Sequence, residues 1–127
     1  MQPFRYERPT NLAEAVGLLA EYGPAARVLA GGTDLIIRLR DGTLRPHLIV
    51  DVKQIPELEA RIYERDGYLS ITAGTTMTDI VADPRIQQHY RALAEAAAVV
   101  GSVQIRNRAT LAGNICNASP AADTAPA

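Results

Sequence analysis

The chain has 127 residues, 47% of them hydrophobic, with 13 Lys and Arg against 14 Asp and Glu for a net charge of −1. With a pI near 6.1, this leaves no basic footprint for nucleic acid or for an anionic membrane surface. The single cysteine, Cys116, excludes an internal disulfide framework and fits a reducing cytoplasm, no apolar run nears the roughly 18 residues of a membrane span, and "MQPFRYERPT" lacks the apolar core of a signal peptide.

In chain order, Leu12, Ala15, Val16, Leu18 and Leu19 are spaced for one face of a helix. Asn11 and Glu14 have capping-box spacing, and Gly23-Pro24 stops the helix. Residues 27–30 read as a short strand, residues 33–40 as a helix ended by Asp41-Gly42, and "LIVDV" at 48–52 as a β-branched strand. Strand, helix and strand in so short a span predict a parallel βαβ unit with a right-handed crossover. Further on, Asp66-Gly67 between residues 61–64 and 68–73 signals a hairpin. Thr76 with Asp79 caps a short helix, Pro84 opens another toward His89, and residues 91–100 form an alanine-rich helix ended by Gly101. Residues 102–127 show no period, and so long an irregular tract calls for a ligand or partner to order it.

Two stretches carry the chemistry. In "VLAGGTDLII" a buried strand runs into Gly31-Gly32 and then a helix start, which turns several N–H groups one way and removes the Cβ atoms that hold a phosphate off. Thr33 adds a hydroxyl, while Asp34 suits a phosphate only if it points away or caps the helix. The pattern is neither GxGxxG nor GxxxxGK[ST], so a tight βα turn and an anion loop both stand at this point. In "RNRATLAGNICNASPAADT", small polar groups and open backbone suit wrapping a large polar ligand, with a flexible polar loop as the alternative.

"AGGTDLI" followed by "IRNRATLAGNICNASPAADTAP", with the opening "FRYERPTNLAEAVGLLAEYG", resembles the FAD-binding domain of the molybdenum-hydroxylase flavoproteins. That family includes the xanthine dehydrogenase flavin domain and the medium subunits of carbon monoxide dehydrogenases. The resemblance runs the full length of the chain. It implies an α/β (α+β) PCMH-type FAD-binding fold: a small parallel βαβ subdomain at 1–55, then at 56–127 the start of a second, mainly antiparallel subdomain. Ala30, Gly31, Gly32, Thr33, Asp34 and Leu35 match the first FAD loop, whose amides hold the pyrophosphate. Thr110, Gly113 and Asn114 match the second loop. Ser119 and Asp123 match positions contacting ribityl or ribose hydroxyls, and Val100 and Gly101, with Val99, flank the adenine. The family usually reads Gly-Gly-Asn where this chain has Ala112-Gly113-Asn114, a methyl that fits if Ala112 keeps a negative φ.

The resemblance further implies an oxidoreductase role with no catalytic acid–base residue and no metal ligand in this chain. Electrons pass from an iron–sulfur subunit, served by a molybdopterin large subunit, to FAD and on to an acceptor such as NAD, a quinone or oxygen. Molybdopterin and [2Fe-2S] clusters belong to those partners. The ending "NASPAADTAPA" reads as a chain cut within a structured segment, with the family's further strands and C-terminal domain absent and FAD binding weak or nil in isolation. The alternatives are a flavin-free scaffold module, to which Ala112 and the ending point, and a covalent flavoprotein attached at a Cys or His. His47 and His89 read as surface residues, and Cys116 stands without metal-ligating neighbours. Arg106 and Arg108 read as loop anchors or partner contacts rather than phosphate ligands.

Overall fold

A computed structural model describes residues 2–127, which divide into two compact units, one ending at Glu59 and one beginning at Ala60. In the first, β1 (Arg5–Glu7), β2 (Ala26–Leu29) and β3 (Leu48–Asp51) form a parallel sheet in the order β1-β3-β2. β3 is central because all four of its residues, Leu-Ile-Val-Asp, can be buried on both faces, as parallel strands require. β2 sets Ala26 beside Leu48 and Leu29 beside Asp51, while β1 sets Arg5 beside Leu48. The predicted βαβ unit is therefore present, with α2 (Leu35–Arg40) as its crossover helix. β1 was not predicted.

Helix α1 (Leu12–Tyr22) starts at Asn11, whose side chain accepts from the Glu14 N–H at 2.8 Å. Only half of the expected capping box forms, because the Glu14 carboxylate takes the Thr10 N–H instead. Gly23 ends the helix at φ 49° and donates to the Leu19 carbonyl. Ala15, Leu18, Leu19 and Tyr22 then pack on Ala26, Leu48, Val50 and Ile55.

The second unit opens with an antiparallel hairpin, β4 (Ile62–Arg65) and β5 (Tyr68–Ile71). Its two-residue loop, Asp66 at φ 53° and Gly67 at φ 79°, has the positive φ pair that matches strand twist. Helix α3 (Met77–Ala82) begins with a full capping box from Thr76 and Asp79. Asp83 caps α4 (Pro84–His89), and α5 (Arg91–Ala98) follows. Met77, Ile80, Ile86, Ala97, Val100 and Ala109 form the core, covered by Ile62, Leu69 and Ile71 of the hairpin.

The tract expected to be irregular contains two more helices, α6 (Val103–Arg106) and α7 (Leu111–Asn117), capped by Ser102 and Thr110. They are too short to show a hydrophobic period, and Gly113 and Asn114 are poor helix formers, so their caps are the signal that the sequence reading passed over. Among the described residues no helix is long and apolar enough to cross a membrane.

Candidate functional site

The first glycine loop leaves β2 at the carboxyl edge of the parallel sheet. The twin glycines are not equivalent: Gly32 alone has a left-handed φ, 79°. Its carbonyl accepts from the Ile36 N–H at 3.0 Å and so starts α2. The N–H groups of Gly31, Gly32, Thr33, Asp34 and Leu35 donate to no acceptor among the described residues. Gly31, Gly32 and Thr33 are half-buried, and buried amides without partners are uncommon in folded chains. Five consecutive free donors of this kind suit an anion. Asp34 sits at the N-cap position, exposed and without a capping bond. Its carboxylate therefore does not consume the amides.

Beside this loop lies a cluster that sequence reasoning missed. Asp51, only 2% exposed at the end of β3, accepts from Lys53 Nζ at 2.6 Å and from the Lys53 N–H at 3.1 Å. The Tyr6 hydroxyl donates to the same carboxylate, and Arg8 Nε stands 3.8 Å away. Lys53 Nζ also reaches the Ala30 carbonyl at 3.4 Å, which ties the cluster to the start of the loop. A carboxylate closing an apolar parallel strand, with a lysine two residues on, was the available signal.

Burial pushes the Asp51 carboxyl up, but hydrogen bonds from Lys53 and Tyr6 outweigh it and hold the group below its usual range. The Tyr6 hydroxyl is raised, chiefly by donating to Asp51. A carboxylate with a depressed folded pKa stabilises the fold above its unfolded value, about 3.9. That contribution is lost as pH falls through the folded value. Asp51→Asn is accordingly expected to cost about 1 to 2 kcal/mol at pH 7, kept small because the Lys53 and Arg8 side chains are 37% and 51% exposed. Urea melts of both proteins at pH 7, 5 and 3 should show the gap narrowing only at the lowest pH. A gap independent of pH would refute the assignment.

In the second unit, α7 is built on Thr110, 5% exposed, whose Oγ1 accepts from the Gly113 N–H at 3.0 Å. A Cβ at Gly113 would lie 2.8 Å from that oxygen, so glycine is required for the cap. The Gly113 and Asn114 N–H groups are both spent on Thr110, on its side chain and its carbonyl. Ala112 lies within α7 and is not among the residues with positive φ. The methyl set beside the flavin-free alternative thus needs no unusual backbone.

The Met77 N–H donates to the Ala109 carbonyl at 2.8 Å, and Thr76 and Thr110 form an antiparallel bridge, which moors the helix start to α3. After α7, Ala118 turns the chain at φ 51°. Ser119 Oγ accepts from the Ala121 N–H at 3.3 Å. Asp123 is exposed, and the buried Thr124 hydroxyl donates to the Asn114 carboxamide oxygen.

Val100 is committed to the core at 8% exposure, whereas Val99 is 66% exposed and Gly101 turns at φ 51°. Arg106 Nη1 holds that turn through the Val100 and Gly101 carbonyls at 3.2 and 3.1 Å, the loop-anchor role expected for it. Cys116, His47 and His89 are exposed. Among the described residues no three His, Cys, Asp or Glu side chains group as metal ligands.

A family model described as the FAD binding domain in molybdopterin dehydrogenase matches residues 2–127. The chain is 43% identical over 120 residues to the xanthine dehydrogenase FAD-binding subunit of Escherichia coli O157:H7, covering 94% of this chain and 41% of that protein. It is 42% identical over 125 residues to the nicotinate dehydrogenase FAD-subunit of Eubacterium barkeri, covering 97% of this chain and 42% of that one. Among solved structures, reconstituted CO dehydrogenase from Oligotropha carboxidovorans superposes with a TM-score of 0.92 at 32% identity, covering 97% of this chain and 43% of that one. The chain thus spans about two fifths of the length of the curated relatives it matches.

Proposed function

This chain belongs to the family of FAD-binding domains of molybdopterin dehydrogenases, and we propose that it holds FAD in an oxidoreductase whose molybdopterin and iron–sulfur centres reside on partner subunits. FAD is the family's cofactor, and when bound it supplies the redox chemistry, receiving electrons from the iron–sulfur side and passing them to an acceptor. The chain's own task is to bind and orient it. The family match over residues 2–127 carries this reading.

The residues fit the group. After Ala30, residues Gly31 to Leu35 offer the unpartnered amide run of the first loop, which suits a diphosphate. Lys53 adds a positive charge beside Ala30. In the second unit Thr110, Gly113 and Asn114 shape the helix start, Ser119 and Asp123 supply a hydroxyl and a carboxylate for sugar hydroxyls, and Val100 and Gly101 form the turn assigned to the adenine side. A carboxylate accepting from a diol is an ordinary pairing. An iron–sulfur subunit and a molybdopterin large subunit are the proposed partners, and the cytoplasm the proposed setting.

Titrating FAD with the full chain is expected to quench flavin fluorescence and leave protein-bound visible absorbance after gel filtration, with ADP competing because it shares the diphosphate. A folded chain that leaves FAD fluorescence unchanged both alone and together with its iron–sulfur and molybdopterin partners would refute the proposal.

A further inference from the structure

We propose that Thr124 is a positioning residue for the flavin site, fixing Ser119 and Asp123 by clamping residues 118–124 onto Asn114; this rests on the FAD reading above. Thr124 is the one buried position in the segment 118–127, which is otherwise half-buried or exposed. The chain enters that segment through the left-handed Ala118, a conformation that costs an alanine of order 1–2 kcal/mol and holds only where its surroundings enforce it.

Within the segment, Ala121 N–H and Ala122 N–H both turn back on Ser119, through Oγ at 3.3 Å and the carbonyl at 3.1 Å, and Ala127 N–H turns back on the Thr124 carbonyl at 3.2 Å. Those bonds are local. Among the described residues the Thr124 hydroxyl makes the single hydrogen bond that joins residues 119–127 to an earlier element. It lands on α7, on a residue whose own N–H is bonded to the Thr110 carbonyl at 3.0 Å.

Asn114 is thereby given a different task from the one its motif implied. Its carboxamide oxygen is committed to Thr124, and only its NH2 remains to face a ligand. Ser119 lies between Ala118 and this clamp, and Asp123 is the residue next to Thr124. Loss of the clamp frees both side chains to leave the positions in which they meet the sugar hydroxyls, which raises the entropic cost of binding. Among the described residues no other hydrogen bond to an earlier element compensates, since the segment's alanines and prolines carry no polar side chains.

The test measures FAD dissociation constants for the full chain by fluorescence titration. Thr124→Val keeps the shape and removes the hydroxyl. It is expected to weaken FAD about tenfold, equivalent to about 1.4 kcal/mol, and Thr124→Ser is expected to restore affinity to within about threefold. In a Ser119→Ala/Asp123→Asn background, Thr124→Val should cost less than about threefold, because the groups it positions are already gone; such non-additivity separates positioning from general destabilisation. Amide exchange at Ala121 and Ala122 should rise in Thr124→Val while Ile80 in α3 keeps its protection. If Thr124→Val does not fold, Thr124→Ala carries the same comparisons. Wild-type affinity in a folded Thr124→Val protein, or full additivity with the Ser119→Ala/Asp123→Asn pair, overturns this inference alone. A wild-type chain that binds no FAD either alone or with its partners overturns the FAD reading and this inference with it.

Discussion

Gly32→Val is expected to weaken FAD binding at least about a hundredfold, since it removes the direction of two or more amide donors, each worth about 1.5 kcal/mol toward a charged acceptor. Gly32 holds φ at 79°, and a Cβ there would stand 3.0 Å from both Ile36 Cδ1 and Leu29 Cδ1. Those methyl ends can move, so crowding alone is a modest cost. The backbone decides the outcome. A β-branched residue at that φ is a true outlier, and a strain of order 1–3 kcal/mol is relieved by swinging the peptide to a negative φ. That swing re-aims the N–H groups on either side of the residue and breaks the Ile36-to-Gly32 bond that starts α2. Fluorescence titration of the full chain, with a thermal melt to show that it folds, checks the result. Affinity within threefold of wild type would show that these amides do not hold the diphosphate.

The geometry of the first loop was legible in the sequence because it is a local matter of strand end, glycine pair and helix start. The Asp66-Gly67 hairpin, the Thr76–Asp79 box and the parallel pairing of residues 26–29 with 48–51 were legible for the same reason. β1 was not. Arg5-Tyr6-Glu7 alternates charged and aromatic residues over only three positions and has no β-branching, and it becomes a strand because β3 offers an unpaired edge and Asp51 accepts from Tyr6. In the second unit the small polar residues were visible, but their division of labour was not. Nothing in "TLAGNICNASPAADT" says that the Gly113 N–H is used internally by Thr110, or that the Asn114 oxygen faces Thr124 rather than a ligand. Those assignments depend on a helix of seven residues whose existence rests on one capping hydroxyl and the αL turn at Ala118.

Met77→Ala should be the most damaging single change to the second unit, at about 2–4 kcal/mol. Met77 is fully buried among Ile80, Ile86, Ala97, Val100 and Ala109, and truncation leaves a cavity that the surrounding helices, already fixed by their caps, fill only in part. The same residue's N–H carries the Ala109 carbonyl, next to the Thr76–Thr110 bridge, so a loosened α3 should also raise amide exchange at Gly113. The expected melt is lower by about 10 °C or more. This damage differs in kind from that of Gly32→Val. Met77→Ala leaves the first-loop amides intact, so excess FAD should recover part of the lost stability through mass action, whereas the Gly32 variant should show almost none of that recovery at the same FAD concentration. Equal recovery in both variants would mean that the second unit's core and the first loop do not make separable contributions to holding the cofactor.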